Sequence, residues 1–449
     1  MRVATQHMTA VEEAALRPLG RAGWVFWLLA LGLGALVALG IVAYVYQLRN
    51  GLGVTGMSDR VFWGVYTANF VAFIGISYGG AVVSAILRIT GAGWRAPITR
   101  LAEAMAVFSL AVGALFPIIH LGRPDRVWEM IVHGRLASPL MWDMLAIATY
   151  LAATVIFLYL PLIPDIAVCR DRIGSSAGFL RRRLYSLLAL GWRGLPQQQR
   201  LLKWGTTTMA ILIIPIAISV HSVLAFAFSV TSRAGWHSTI FGPYFVVAAL
   251  FSGVATVILV VVAFRKAYHL EDHIGEKQIR YLSYIMLALG LLYFYFTFSE
   301  FLTEGYALDE DTQVLYETLL LKNFAPLFWF FIVAGLIVPL ALVAWPRTRT
   351  VPGIAIAAAL AVGGMWLKRF LIVVPPLARP LAGSDAVSYN PSWAEAAITI
   401  GAAAAIPLMI MLFVRFFPIL SIWEMEEAAE EPEIQPETPQ GLQAEGRLA

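Results

Sequence analysis

The sequence predicts an all-α integral membrane protein with about ten transmembrane helices. Of its 449 residues, 59% are apolar and 13% are charged, whereas a soluble domain carries roughly 25% charged residues. Soluble domains could not hide so much apolar surface. Ten segments have the roughly 20 mostly apolar residues that a helix needs to cross a bilayer. They lie at 23–47, 61–87, 98–120, 139–162, 205–231, 239–264, 279–303, 323–345, 351–375 and 394–417.

The first predicted helix is expected to remain in the mature protein. Residues 1–22 precede it and include Glu12 and Glu13, and no small-residue cleavage site follows closely, so the segment lacks the layout of a signal peptide. We assign residues 1–22 to an N-terminal cytoplasmic segment and residues 23–420 to the transmembrane domain.

A weak internal repeat covers the next eight helices. The second and sixth helices both open with a Gly-x-Tyr sequence, at Gly64 and Gly242. If the repeat is real, helices two to five (61–231) and six to nine (239–375) are two four-helix bundles related about the membrane normal.

The distribution of basic residues predicts the orientation. One set of alternate loops, which includes both ends of the chain, holds about twenty Lys and Arg, roughly twice the number in the other set, so the positive-inside rule places both termini in the cytoplasm. The segment 421–449 is acidic and contains proline. It has too little apolar material to fold alone, and we predict a disordered cytoplasmic tail.

Cysteine count and charge exclude several classes of function. Cys169 is the only cysteine, so the chain cannot hold an iron–sulfur cluster or a structural zinc site by its own thiolates. The formal charge of +4 is small, and the arginines fall between apolar runs, which indicates contact with the membrane surface and no nucleic-acid partner. No metal site is predicted.

Ionisable side chains within apolar helices are costly and therefore candidates for function. With the predicted topology, several helices deliver such groups to the outer half of the membrane, whereas the inner half contributes chiefly Glu103. The outer set consists of His120, Asp143, His221, His237, Glu300, Glu304, Arg369 and Glu395.

A histidine paired with a carboxylate near a membrane surface suits hydroquinone oxidation, which needs proton acceptors that titrate near neutral pH. We predict that His120 or His221 acts with Asp143 as the catalytic pair. Arg369 either snorkels outward or neutralises Asp143.

We expect simpler roles for the remaining ionisable residues. We expect Glu304 and Glu395 to face the loops. A histidine at a helix end, such as His120, often serves simply as a helix cap. Glu103 and Glu300 are candidates for a proton path.

Several runs of residues resemble one known family. Phe116 to Pro124, which reads FPIIHLGRP, is similar to the HLGRP signature of the NrfD/PsrC family, the membrane subunits of bacterial quinone-linked redox complexes. The runs 64–69, 75–80, 138–143, 235–241, 368–375 and 389–395 also resemble its long, ten-helix branch. Within this branch the sequence is most similar to ActC, the quinol-binding membrane subunit of alternative complex III.

The resemblance implies two four-helix bundles with two flanking helices and a quinol pocket on the periplasmic side of the bacterial inner membrane. The histidine of HLGRP and the aspartate after Trp142 belong to that pocket and correspond to His120 and Asp143. The full quinol-binding set that we predict is His120, Arg123, Trp142, Asp143, His221, His237 and Arg369.

The resemblance also implies a quinone, with menaquinone favoured, as the bound cofactor, and no haem or iron–sulfur cluster in this chain. The expected partners are a periplasmic iron–sulfur subunit, haem c subunits and a second membrane subunit. The sequence departs from ActC after the helix-five histidine, where Ala225 to Phe228 contain no acid. The chain could therefore also belong to another quinone-linked iron–sulfur complex of the same family.

Three other functions are compatible with ten helices. In the first, the same membrane protein reduces quinone with electrons from a periplasmic donor. A secondary transporter is less favoured, because transporters place their sites near the midplane. A structural anchor would leave His221 and Asp143 unexplained.

Overall fold

Among the residues that the structure describes, ten helices are long and apolar enough to cross a bilayer, which confirms the predicted fold class. The computed structural model describes residues 8–20, 22–172, 178–231, 233–307, 309–378 and 387–430. The spanning helices are α1 (Trp24–Asn50), α2 (Val65–Ile89), α3 (Ala96–His120), α4 (Pro139–Arg172), α5 (Pro196–Ser229), α6 (Phe241–Ala267), α7 (Glu276–Ala307), α8 (Ala325–Ala344), α9 (Val351–Ala378) and α10 (Trp393–Phe416).

The eight central helices form two rings of four. In the first ring α2 packs on α3, α3 on α4, α4 on α5 and α5 on α2, and in the second α6 to α9 close in the same way. The flanking helices α1 and α10 pack on each other, and α10 also contacts α3. This arrangement agrees with the expected bundles and flanking helices.

The two rings meet where α2 crosses α6. A Cβ atom on Gly79 would lie 2.2 Å from the Cα atom of Gly253, and one on Gly253 would lie 2.3 Å from the Cα atom of Gly79. Small residues let helix backbones approach closely in membranes, where dispersion contacts replace the hydrophobic effect between helices. The seam therefore depends on both glycines.

Both ends of the described chain lie on one face of the membrane domain. The short helix Ala10–Leu16 begins with a capping box between Thr9 and Glu12, and the backbone N–H of Ile419 donates to the carbonyl of Ala15 at 3.4 Å. We call this side the terminal face and the other side the opposite face. The predicted outer face corresponds to the opposite face.

The predicted disorder of the tail is wrong for its first part. Residues Ile422–Glu430 form a helix on the terminal face, which we call the C-terminal helix. Asp165 of α4 accepts hydrogen bonds from the backbone N–H groups of Ile422 and Trp423 at 3.2 and 3.0 Å, so a carboxylate caps its positive end. Residues 431–449 lie outside the described residues.

Candidate functional site

His120, the last residue of α3, lies on the opposite face in a rigid setting. The amide of Gln47 on α1 donates to the carbonyl of Ile119 at 3.0 Å, and the hydroxyl of Tyr66 on α2 donates to Oε1 of Gln47 at 2.5 Å. The imidazole is partly buried, and its buried Nδ1 has no hydrogen-bond partner. The backbone before His120 is therefore held by two other helices, while one ring nitrogen is free for a ligand.

Glu395 borders this site, and the expectation that it faces the loop is wrong. Its side chain is fully buried, and it accepts hydrogen bonds from the backbone N–H groups of Gly56 at 2.6 Å and Ser392 at 2.8 Å and from the hydroxyl of Tyr389 at 2.7 Å. The carboxylate is near enough to His120 for the two groups to interact electrostatically. Glu395 is covered by the loop before α2, which contains Gly56. The local sequence around Glu395 could not predict this contact, because the loop is far away in the chain.

Tyr389 holds the wall behind Glu395. Its hydroxyl accepts a hydrogen bond from the N–H of Val65 at 2.9 Å while it donates to Glu395. Burial and the nearby carboxylate raise the pKa of Tyr389 above its ordinary value, so the hydroxyl keeps its proton and remains a donor.

Asp143 lies in the first turns of α4 on the same face. It is partly buried, and within the described residues it makes neither a hydrogen bond nor an ion pair. His120 and Asp143 are not bonded to each other there, but their helices α3 and α4 pack together. The structure thus brings a free imidazole nitrogen and a free carboxylate to one end of neighbouring helices.

The other predicted residues near this face are more exposed. Arg123 pairs with Asp125 at 3.0 Å, and both side chains are largely exposed. The indole N–H of Trp142 donates to the carbonyl of Leu136 at 2.5 Å. His237 is exposed, although the neighbouring Trp236 is fully buried.

His221 and Arg369 form a second polar site between the two rings. His221 is 1% exposed, neither ring nitrogen has a hydrogen-bond partner, and its ring packs edge-on against Tyr78 with 4.6 Å between centroids. Both residues line a cavity of about 10 Å³, which is close to the smallest volume that holds one water molecule.

Arg369 follows neither of its two predicted alternatives. Its guanidinium is buried and donates to Ser252 Oγ at 3.1 Å and to the carbonyl of Met365 at 3.0 Å. It neither reaches the surface nor pairs with Asp143. Ser252 of α6 and Arg369 of α9 thus join two helices of the second ring.

Lys368 is a candidate that sequence reasoning missed. It is buried, with its ammonium 5.6 Å from the ring centroid of Tyr244 and 5.7 Å from those of Phe301 and Phe331. The carboxylate of Glu300, which accepts a hydrogen bond from Ser238 at 2.6 Å, is its charged neighbour. The sequence did contain a signal for Lys368, because it lies beside Arg369 within an apolar helix. A charge in such a helix needs a partner and is therefore a candidate for function.

A third polar cluster lies near the terminal face, so the expectation that the inner half contributes chiefly Glu103 is wrong. Glu424 of the C-terminal helix accepts hydrogen bonds from Arg88 at 2.7 Å and Arg95 at 2.9 Å. Arg100 pairs with Asp165 at 2.6 Å, with both side chains 1% exposed. Sequence reasoning counted these arginines only as loop charges.

Glu103 lies beside this cluster and is buried. Its Oε1 accepts a hydrogen bond from Ser84 at 3.0 Å, whereas Oε2 has no partner. Arg95, Arg100 and Glu424 are near enough to act on its charge.

Neither a metal centre nor a reactive thiol stands out in the described part of the chain. No group of three or more His, Cys, Asp or Glu that could hold a metal ion occurs among those residues, and Cys169 is buried. The chemistry available there comes from imidazole, carboxylate and guanidinium groups.

The sequence is similar to subunits of several oxidoreductases. A relative from Halobacterium salinarum, whose name describes a membrane subunit of dimethyl sulfoxide reductase, is 27% identical over 88% of this chain and 91% of its own length. The Hdr-like menaquinol oxidoreductase integral membrane subunit of Archaeoglobus fulgidus is 26% identical over 90% and 96%. A relative from Mesobacillus selenatarsenatis, named as a subunit of selenate reductase, is 24% identical over 87% and 93%.

Residues 53–380 match the family described as polysulphide reductase, NrfD. The match covers most of the chain and includes α2 to α9, the two rings that carry His120, His221 and Arg369. The chain therefore belongs to the NrfD family of membrane subunits of quinone-interacting oxidoreductase complexes.

Proposed function

We propose that the chain is the quinol-binding subunit of a multisubunit oxidoreductase, that it oxidises quinol at the opposite face, and that electrons pass from there to a partner iron–sulfur subunit. The observation that carries the proposal is a buried imidazole nitrogen of α3 that has no partner, together with a partly buried carboxylate of α4 that has no protein partner among the described residues at the same end. Buried polar atoms are nearly always hydrogen-bonded, so an imidazole nitrogen without a partner beside a fixed backbone suits a ligand.

These groups fit the hydroxyls of a quinol. A quinol gives up two electrons and two protons on oxidation. His120 Nδ1 and the Asp143 carboxylate accept hydrogen bonds from the hydroxyls and then take their protons. Both lie at the end of their helices and release those protons to water at the opposite face.

The other predicted residues divide by depth. Arg123, Trp142 and His237 are exposed at the opposite face. His221 and Arg369 lie deeper, where the free nitrogens of His221 and one water molecule could relay a proton. For the proposed proton path, Glu300 lies near the opposite face of the second ring, where it accepts a hydrogen bond from Ser238 of the loop before α6. Glu103 lies towards the terminal face, and its unpaired Oε2 can hold a proton.

The names of relatives support the proposed direction of electron flow and the proposed quinone. The Archaeoglobus relative is named for a menaquinol oxidoreductase, and two others are named for reductases of dimethyl sulfoxide and selenate. These names favour oxidation of menaquinol by this chain over reduction of quinone. The particular likeness to ActC and alternative complex III stays a prediction.

The single cysteine, which cannot hold an iron–sulfur cluster, supports the proposal of a separate electron-transfer partner. Electrons must leave through another subunit, which we propose is a periplasmic iron–sulfur protein accompanied by haem c subunits. The lipid-facing side of α1, where Trp24 and Leu31 are 76% and 71% exposed, is available to a second membrane subunit. Expressed alone, the chain should contain neither iron nor haem, and bound iron in that preparation would contradict this division of roles.

The opposite face is proposed to be periplasmic in the bacterial inner membrane, because arginines concentrate on the terminal face. Alkaline phosphatase fused after Gly53 should be active, and the same enzyme fused after Leu195 should be inactive. The reverse pattern would invert the topology and move the quinol site to the cytoplasmic side.

The chemistry is tested by Asp143→Asn in the assembled complex. This change keeps the shape and removes the basic carboxylate, so quinol oxidation with a soluble quinol analogue and ferricyanide should fall about 100-fold, the low end of the usual contribution of a general base. Asp59→Asn is the matched control, because Asp59 is an exposed loop residue on the same face.

His120→Ala tests quinone binding as well as proton transfer. It removes a hydrogen-bond partner as well as a proton acceptor, so both turnover and bound quinone should decrease. Full activity of an assembled Asp143→Asn complex would remove Asp143 from the mechanism.

A further inference from the structure

A long, mostly apolar groove runs along the outside of the molecule from the terminal face, and its inner end reaches Ser252 and Arg369 of the second polar site. One part has a volume of about 520 Å³ and lies between α2, α6, α9 and α10. A second part has a volume of about 610 Å³ and lies between α1, α6 and α10. Because Ala263, Phe264 and Pro407 line both parts, we treat them as one feature, the α6–α10 groove.

The groove has the length of one lipid leaflet. Along α6 its lining extends from Ser252 to Ala267, which is about 22 Å at 1.5 Å per residue. Half of a bilayer's hydrocarbon core is about 15 Å thick. The groove therefore extends from the terminal face to the middle of the membrane, enough for an extended hydrocarbon chain.

The side chains of the groove suit such a chain. Leu259, Val260 and Ile406 are among the apolar residues that line its inner part. Several lining residues remain accessible, including Leu29 at 50% and Ile400 at 49% exposure, so the groove opens sideways towards lipid.

The end of the groove at the terminal face is cationic. Arg17, His269 and Arg415 line it, and none of its lining residues is acidic. Arg17 is exposed and makes no ion pair in the described part of the chain. Arg415 donates to the carbonyl of Pro18 and lies over the ring of Phe26, 5.5 Å from its centroid, so its guanidinium is held at the rim.

We propose that the α6–α10 groove binds one anionic phospholipid from the leaflet at the terminal face. Arg17 and Arg415 contact the phosphate, and one acyl chain lies along α6 towards the middle of the membrane. Guanidinium groups match phosphate oxygens in charge and geometry, and basic pockets between helices at the membrane surface are a recognised setting for anionic head groups. A quinone would leave these cations unpaired, because its head group is neutral.

The test is lipid binding to the purified full-length protein by native mass spectrometry, with phosphatidylglycerol and phosphatidylcholine as probes. We expect the wild type to bind phosphatidylglycerol at least tenfold more tightly. Arg17→Gln should weaken that binding about tenfold, since one charge-assisted contact is lost, and should leave phosphatidylcholine binding unchanged. Arg193→Gln makes the same change at an exposed residue of the same face and should have no effect.

A second variant tests the acyl-chain part without touching a charge. Ala263→Trp places a large ring where the two parts of the groove join and should reduce binding of both lipids at least tenfold. Leu212→Trp, on the exposed side of α5, is its control. Equal binding of the two lipids by the wild type, or undiminished phosphatidylglycerol binding in Arg17→Gln, would overturn the proposal. So would loss of bound quinone, but not of phospholipid, in Ala263→Trp.

Discussion

Glu395→Gln is predicted to destabilise the protein by about 3 kcal/mol. The carboxylate accepts three hydrogen bonds, of 2.6 Å from Gly56, 2.7 Å from Tyr389 and 2.8 Å from Ser392. A glutamine can turn its oxygen towards the two backbone donors, but these bonds lose their charge assistance, at about 1 kcal/mol each. Its NH₂ group then faces the Tyr389 hydroxyl, which loses its acceptor at a cost of about 1 kcal/mol more.

The assay is unfolding of the purified protein in mixed micelles by titration with SDS, followed by loss of helical circular dichroism. Asp59→Asn removes an exposed carboxylate on the same face and should change the free energy of unfolding by less than about 0.5 kcal/mol. If Glu395→Gln is as mild as that control, Glu395 does not hold the loop before α2, and the buried network around His120 is not a scaffold.

Three further experiments, with four substitutions, test the packing and the second ring. Gly64→Ala would place a Cβ atom 2.4 Å from the hydroxyl of Tyr389, so we expect about 2 kcal/mol of overpacking strain by SDS titration; an unchanged midpoint would contradict this contact. Gly79→Ala would place a methyl group 2.2 Å from the backbone of α6 and should abolish folded protein, measured as monodisperse yield in detergent, so a normal yield would show that the seam can open. Lys368→Met and Glu300→Gln should be non-additive in unfolding free energy by at least about 1 kcal/mol, since each charge compensates the other, and strict additivity would show that the two are independent.

The number and order of the spanning helices could be predicted from the sequence because the bilayer imposes a one-dimensional rule. Each crossing needs a continuous apolar run, with its backbone hydrogen bonds closed inside the helix. Hydropathy therefore located all ten segments. The helix ends were less predictable: α4 and α5 each continue well beyond the predicted segments 139–162 and 205–231 at the terminal face, because α4 runs on to Arg172 and α5 begins with polar residues.

Contacts between residues that are far apart in the chain could not be predicted from the sequence. Glu395 reads as a helix-start carboxylate, which it also is, since Ser392 and Glu395 form a capping box. Its burial comes from Gly56, 339 residues earlier in the chain. The C-terminal helix was missed for the same reason. Its acidic sequence looks unable to fold alone, but Arg88 and Arg95 donate hydrogen bonds to Glu424 and hold the helix in place.

The buried and partly buried carboxylates differ in how completely they are hydrogen-bonded. This difference separates structural carboxylates from candidates for proton transfer better than depth in the membrane does. Glu395 has three donors, and Asp165 has Arg100 and two backbone N–H groups; to take up a proton, either group would have to break bonds that hold helices together. Asp143 has no such donors among the described residues, and Glu103 has one oxygen without a partner, so protonation breaks nothing in the fold. A proton can therefore be held at these two positions and released again with the helices unmoved, which a site that cycles protons requires.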